Sequence, residues 1–262
     1  MSREWLMTAS NSSAGKIDPD IAIVFVHGYL GYGEKPWLPD FLAFFRGVRT
    51  ALSDLGVPLY FPQLPRGNSV KVQATALSNY IYKLPQQKIY LVAYSMGALH
   101  SRYVIHHLDP DHRIKKLTTV AGANHGTYIA EWALGTLGPI QWLGRLISYN
   151  SLLDLTREAG ERFAKELKDR DDIEYASYAC VRPFWQIPWL FKPFAWLLQK
   201  ESGDNDFLVP KVSAAWLNYQ RDLRSDHMEV IGWNFTIPLP GTGRPFRHRN
   251  LYREIVKKML CT

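Results

Sequence analysis

A serine lies where an apolar segment gives way to a helical pattern, in the sequence VAYSMGALH at 92–100. A serine hydroxyl is a weak nucleophile, so catalysis by it requires a neighbouring base and a turn that exposes it. Small residues two positions before and after Ser95, here Ala93 and Gly97, allow a sharp strand-to-helix turn to close. The free N–H groups at the start of the helix favour negative charge there. The alternative is that Ser95 only caps the helix, as serine often does.

Two later segments contain the residue types that would complete such a site. The sequence SGDNDFLVP places Asp204 and Asp206 before an apolar run, and SDHMEVIG supplies His227. A carboxylate at the end of a late strand can orient a histidine, which then takes the proton of the serine. Both aspartates qualify, because side chains two residues apart point to the same side of an extended segment.

A glycine-rich loop follows the first apolar segment, in the sequence VFVHGYLGYG at 24–33. The backbone N–H of Tyr29, together with that of Met96, could donate to a substrate oxygen that gains negative charge. The alternative is that the glycines serve only the loop itself.

The elements that would position these residues alternate between short apolar runs and longer mixed segments. The run IAIVFV at 21–26 is nearly all apolar and β-branched, which is typical of a strand buried on both faces. We predict an α/β fold with a mostly parallel central sheet flanked by helices. The predicted strands are 21–26, 58–64, 88–94, 116–122 and 174–180, and the predicted helices are about 38–55, 70–84, 96–108 and 251–260.

The length of 262 residues suits one domain, 1–262, with an inserted cap or lid. We expect this largely helical insertion at about 128–170, followed by an aromatic-rich segment at 183–199. Both would give an apolar pocket or a rim that meets a lipid surface. The alternative is that their rings pack in the core. The tryptophans expected to contact substrate are Trp132, Trp142, Trp185 and Trp189.

The composition excludes several other classes of protein. The net charge of +7 is spread along the chain and the motifs of nucleic-acid binding are absent, so we expect no nucleic-acid partner. Cys180 and Cys261 do not have the spacing of metal ligands, so we expect no zinc site. The chain as given has no visible secretory signal and no apolar stretch long enough to span a bilayer. We expect a cytoplasmic protein or one peripheral to a membrane, with secretion as the alternative; the sequence indicates no oligomeric state.

Five segments, in order and across about 20–235, resemble the bacterial triacylglycerol lipase family of the α/β-hydrolase superfamily: VHGYLG, AYSMGA, GANHGT, DFLVP and DHMEVIG. The order serine, aspartate, histidine along the chain is also that of the α/β-hydrolases. The resemblance implies that Ser95 is the nucleophile, His227 the base and Asp206 the acid. It also implies oxyanion donors from the backbones of Tyr29 and Met96.

The sequence departs from the larger lipases of this kind at their calcium site. Those lipases hold calcium near the catalytic histidine, with an aspartate two residues after it, whereas this chain has Glu229 there. The range 175–200, where a second ligand is expected, contains no Asp or Glu. We therefore predict no cofactor and no metal, with calcium held by backbone carbonyls as the alternative. The disulfide of those lipases has no clear counterpart in this chain.

The sequence as a whole indicates a serine carboxylic ester hydrolase, a lipase or esterase that cleaves small-molecule or lipid esters of apolar acyl groups through an acyl-enzyme. A thioesterase, amidase or phospholipase would use the same three side chains. From a different class, a catalytically idle hydrolase-like protein that binds lipid or a partner is the further alternative.

Overall fold

Six parallel strands form one sheet in the part of the chain that the structure describes. The structure is a computed structural model that describes residues 18–34, 37–137, 149–235 and 245–261. Its strands are β1 (Ile21–Val26), β2 (Leu59–Tyr60), β3 (Lys88–Tyr94), β4 (Ile114–Val120), β5 (Glu174–Cys180) and β6 (Tyr219–Leu223). Their order across the sheet is β2-β1-β3-β4-β5-β6, and every neighbouring pair is parallel. The carboxyl ends of all six strands therefore meet at one edge.

Helices cover both faces of this sheet. On one face, Phe25 and Tyr94 pack with Tyr252 and Ile255. On the other face, Leu91 belongs to the same apolar cluster as residues of the helices at 70–82 and 97–107. Each residue of β1 is buried as a consequence. The helices are α1 (Val48–Leu52), α2 (Val70–Tyr82), α3 (Gly97–His107), α4 (Tyr128–Leu137), α5 (Tyr149–Asp154), α6 (Arg157–Glu166), α7 (Lys192–Ser202), α8 (Lys211–Ala214) and α9 (His248–Leu260).

The α/β fold with a mostly parallel sheet is confirmed, and three predicted elements differ in detail. The helix predicted at about 38–55 is wrong as a single element, because Gly47 adopts a left-handed conformation with φ of 72° and α1 begins only after it. The second strand is limited to Leu59–Tyr60. The segment before Asp206 is the end of α7 and a bend, so the acid does not follow a late strand as expected.

Most of the described residues of the 128–170 insertion are helical and pack beside the start of α3. Leu152 and Phe163 share an apolar cluster with Met96 and Leu99. Part of the insertion lies outside the described residues, and Trp142 lies there with it. The two cysteines are both free, Cys180 in the core and Cys261 exposed; no helix of the described ranges is long and apolar enough to cross a membrane.

Phe25→Ala is expected to destabilise the fold by about 3–5 kcal/mol, because it removes a fully enclosed ring. The ring of Phe25 is 1% exposed and stacks on Phe61 at 4.6 Å between centroids. Urea unfolding would measure the loss. Val72→Ala, on the exposed face of α2, is the control and should change stability by no more than about 0.5 kcal/mol. A loss at Phe25 as small as that at Val72 would show that this ring contributes little to the core.

Candidate active site

Ser95 occupies the tight turn between β3 and α3. Its φ of 54° lies in the left-handed region, which a residue other than glycine adopts only where the surroundings hold it there. Its N–H donates to the carbonyl of Val120 at 3.2 Å, and its own carbonyl accepts from Ala123 at 3.2 Å. A Cβ on Gly97 would lie 2.6 Å from the carbonyl oxygen of Val26, so the position two residues after Ser95 has to be small.

The hydroxyl of Ser95 is hydrogen-bonded to a histidine. Its Oγ lies 2.9 Å from Nε2 of His227, and Nδ1 of that ring lies 2.7 Å from Oδ2 of Asp206. All three residues are buried. The N-cap residue of α3 is Met96, which makes no side-chain capping bond, so Ser95 is not the N-cap of this helix. The structure thus brings serine, histidine and aspartate into one hydrogen-bonded chain.

Asp206 is held in a turn that faces His227. Its Oδ1 accepts from the N–H groups of Leu208 at 3.0 Å and Val209 at 2.7 Å, which leaves Oδ2 for the histidine. Asp204 is exposed, and its backbone carbonyl accepts from Lys211 at 2.8 Å. Of the two aspartates left open by the sequence, the structure places Asp206 against the ring of His227.

The backbone of His227 is fixed on both sides of its ring. Its N–H donates to the carbonyl of Asp206 at 3.2 Å, and its carbonyl accepts from the Tyr94 hydroxyl at 2.7 Å. Burial raises the pKa of Tyr94 well above its ordinary value, so this phenol keeps its proton and remains a donor. The ring centroids of Tyr94 and His227 also lie 4.9 Å apart. The ring therefore has little freedom to leave Ser95.

The glycine-rich loop after β1 lies directly against Ser95. A Cβ on Gly28 would lie 2.7 Å from Cβ of Ser95, so the backbone approaches the serine as closely as glycine allows. His27 supports this loop: its Nε2 lies 3.2 Å from the N–H of Leu64, and its Nδ1 lies 2.9 Å from the carbonyl oxygen of Gly28. Burial lowers the pKa of His27 to about 4, which keeps the ring neutral and able to accept one bond while donating the other.

An apolar pocket of about 440 Å³ opens on Ser95 and His227. Its remaining wall comes from Tyr29, Leu30, Tyr32, Phe44, Tyr94, Leu208, Met228, Trp233 and Phe235. Of these residues, the sequence analysis singled out only Tyr29. Several others lie in the motifs quoted above, but no local pattern shows that their side chains meet in one pocket. Trp233 is fixed in this wall, because its Nε1 donates to the carbonyl of Phe44 at 3.1 Å.

Three of the four tryptophans expected to contact substrate lie elsewhere. The ring of Trp132 packs edge-on against Phe194 at 5.5 Å between centroids. Trp185 and Trp189 are 61% and 73% exposed. None of these three lines the pocket at Ser95. Their role stays a prediction, as does that of Trp142.

The residues after His227 do not fit the calcium ion that the larger lipases of this kind hold. The carboxylate of Glu229, at the position of the expected ligand, accepts a hydrogen bond from the guanidinium of Arg182. That cationic group would repel a metal ion bound to the same oxygens. Throughout the described ranges, no group of three or more His, Cys, Asp or Glu side chains could hold a metal.

A parallel sheet with a serine on a tight turn at the carboxyl end of an inner strand is typical of the α/β-hydrolase fold. The lipase BlEst2 of Bacillus licheniformis, in its mature form, shares this fold with a TM-score of 0.68 at 18% sequence identity, over 94% of each chain. No protein-family model matches the chain.

In sequence, the chain is similar to triacylglycerol lipase 2 of Saccharomyces cerevisiae, with 25% identity over 201 residues that cover 71% of this chain and 61% of that protein. It is also similar to the triacylglycerol lipase of Pseudomonas fragi, with 29% identity over 113 residues that cover 42% of this chain and 36% of that one. The matches therefore span only part of the length of these lipases. They confirm the resemblance to triacylglycerol lipases.

Asp226, next to His227, makes the stability of this region depend on pH. Burial raises its pKa to about 6; the nearby charge of Asp206 raises it as well, and Arg182 and His227 lower it. Between about pH 4 and 6 the folded protein holds a proton at Asp226 that the unfolded chain has lost, so this group contributes less stability as pH rises. Urea unfolding of Asp226→Asn at several pH values would measure the effect. The free energy of unfolding of the variant, relative to that of the wild type, should rise by up to about 3 kcal/mol between pH 4 and pH 7.

The exposed Asp204→Asn is the control for this measurement and should show no such gain. A constant difference in unfolding free energy between Asp226→Asn and the wild type across this range would contradict the assignment.

Proposed function

We propose that this chain is a serine carboxylic ester hydrolase, a lipase or esterase acting on esters of apolar acyl groups. One observation carries the proposal: a buried Ser95–His227–Asp206 hydrogen-bonded chain that meets an apolar pocket. The similarity to two triacylglycerol lipases supports the same chemistry.

In the first half of the reaction, Nε2 of His227 takes the proton of Ser95 as Oγ attacks the ester carbonyl. Asp206 orients the ring and stabilises the imidazolium that forms. The backbone N–H groups of Tyr29 and Met96 donate to the carbonyl oxygen while it is negatively charged. The C–O bond then breaks, His227 gives its proton to the leaving alcohol, and the acyl group remains on Ser95.

In the second half, water replaces the alcohol. His227 takes a proton from the water as its oxygen attacks the acyl carbonyl, and the same N–H groups bind the oxyanion. The bond to Ser95 Oγ breaks, His227 returns the proton to that oxygen, and a carboxylic acid leaves. Atoms and charge balance without a cofactor.

The pocket supports a preference for apolar acyl groups. Its aromatic wall, with Phe44 and Trp233, offers no charged group to the chain of a bound acyl substrate. Each methylene that enters contributes about 0.8 kcal/mol to binding. We infer that hydrolysis rates rise with acyl length until the pocket is full.

The aromatic segment at 183–199 supports contact with a lipid surface. Phe191 stacks on Phe207 at 4.3 Å between centroids, which anchors the segment beside the turn of Asp206. Five of its aromatic and aliphatic side chains are exposed to solvent, namely Phe184, Trp185, Trp189, Leu190 and Trp196. Exposed aromatic and aliphatic side chains of this kind partition into the boundary between lipid headgroups and acyl chains. We propose that this surface, the aromatic rim, brings the pocket to aggregated lipid esters.

Ser95→Ala is expected to lower kcat for p-nitrophenyl butyrate by about 10⁴-fold or more, since only binding and oxyanion contacts would remain. The wild type should also lose activity stoichiometrically to a fluorophosphonate probe, which separates an enzyme from a catalytically idle relative. In the same assay, Asp206→Asn should lose far more activity than Asp204→Asn. Wild-type turnover in a folded Ser95→Ala protein would end the proposal.

Trp189→Ala is expected to slow hydrolysis of emulsified long-chain esters while leaving soluble butyrate esters and the melting temperature unchanged. The side chain is 73% exposed, so its removal costs lipid contact rather than core packing. Tyr82→Ala, at a 78% exposed position at the end of α2, is the matched control and should slow neither substrate. Equal loss on both substrates with a lowered melting temperature would show that Trp189 supports the fold instead.

A further inference from the structure

A buried ion pair lies beside the loop that carries His227. Arg182 follows β5 at the carboxyl edge of the sheet, and its guanidinium donates to Oε2 of Glu229, two residues after the histidine. The two side chains are 4% and 3% exposed. A buried pair of this kind stabilises a fold no better than apolar residues of similar volume, because desolvation offsets most of the attraction. The contacts that the pair makes are therefore more informative than its contribution to stability.

Arg182 contacts both loops of the site. Its backbone N–H donates at 3.1 Å to the carbonyl oxygen of Asn205, which is the residue directly before Asp206. Its side chain reaches Glu229 in the loop of His227. One residue thus connects the segment that supplies the acid to the segment that supplies the base.

Glu229 extends this connection on its other side. Its N–H donates to Oδ1 of Asp226 at 2.8 Å, so its backbone closes the turn that contains His227. Its Oε1 accepts from the N–H of Phe246 at 2.9 Å, just before α9. A displaced Glu229 carboxylate would release both the arginine and the segment leading into α9.

We propose that the Arg182–Glu229 ion pair is the positioning element that holds His227 between Ser95 and Asp206, in place of a bound cation. This inference rests on the proposed function. The guanidinium supplies, from within the chain, the positive charge that fixes the loop after the histidine. The N–H groups of a guanidinium point in fixed directions, so the hydrogen bond from Arg182 to Oε2 of Glu229 restricts the position of the loop as well as balancing its charge.

Three variants test the pair: Arg182→Met removes the charge, Arg182→Lys keeps it without the planar fork, and Glu229→Gln keeps the side-chain shape. The control is Arg170→Met, which breaks the ion pairs of Arg170 with Asp109 at 2.9 Å and with Asp172 at 2.6 Å. Arg170 precedes β5, so it lies at the amino ends of the strands, away from the site. For each protein, kcat and KM on p-nitrophenyl butyrate, the rate of fluorophosphonate labelling and the melting temperature would be measured. Wild-type rates would also be measured with EGTA and with added calcium.

We expect Arg182→Met and Glu229→Gln to lower kcat and the labelling rate together, about 10- to 100-fold, with KM unchanged, since a small misplacement of the base affects the chemical step. Arg182→Lys should recover part of this loss. Arg170→Met should lower the melting temperature without changing kcat. EGTA and calcium should leave wild-type rates unchanged.

A separate readout does not depend on turnover. The proton shared by His227 Nδ1 and Asp206 should give a far-downfield one-dimensional NMR resonance in the wild type, and this resonance should broaden or vanish in Arg182→Met and Glu229→Gln. An inactive wild-type protein that shows these spectral changes would overturn the proposed function and not the positioning role.

Two results would overturn the positioning role. One is a set of folded Arg182 and Glu229 variants with wild-type kcat and an intact downfield resonance, changed only in melting temperature as in the Arg170 control. The other is a wild-type enzyme that loses activity in EGTA and regains it with calcium. Should Arg182→Met fail to fold, Glu229→Gln decides between these outcomes, because the amide retains the shape of the carboxylate.

Discussion

The close approach of the loop after β1 and the first turn of α3 around Ser95 is the constraint on which the site depends. A Cβ at Gly28 would lie 2.7 Å from the Cβ of Ser95, and one at Gly97 would lie 2.6 Å from the carbonyl oxygen of Val26. The loop after β1 and the first turn of α3 therefore meet with no space for larger residues. Because Val26 pairs with Ala93 in parallel register, both chains leave the sheet side by side. The turn is thus set by the sheet itself.

Burial then governs the electrostatics of the region. In a setting of low dielectric, an ionised carboxylate requires a defined partner. Asp206 has two backbone N–H groups and His227, whereas Glu229 has the guanidinium of Arg182. Asp226 receives two backbone N–H bonds but has a pKa of about 6 because burial dominates. The histidine is consequently flanked by carboxylates whose partners fix the backbone on either side of it.

Local patterns predicted the fold, Ser95 and His227, but they left Asp204 and Asp206 open, and Asp206 was favoured only by the family resemblance. The walls of the site could not be predicted from the sequence. Strands buried on both faces, such as β1 and β3, have continuous apolar sequences, and the turn at Ser95 has a short local signature. By contrast, β6 was missed because it is short and most of its residues are exposed or half-buried. Phe44 and Trp233 meet only through tertiary packing, and the pairing of Arg182 with Glu229 joins charges with no sequence periodicity between them.

Detection of an acyl group on Ser95 is the most direct test of the proposed chemistry. A reaction with a p-nitrophenyl ester would be quenched in acid within the first turnovers, digested and measured by mass spectrometry. An enzyme of the proposed type should carry the mass of the acyl group on the peptide that contains Ser95, and this species should disappear once the substrate is exhausted. Ester hydrolysis with no acyl group at Ser95, or with the acyl group on another residue, would contradict the assignment of Ser95 as the nucleophile.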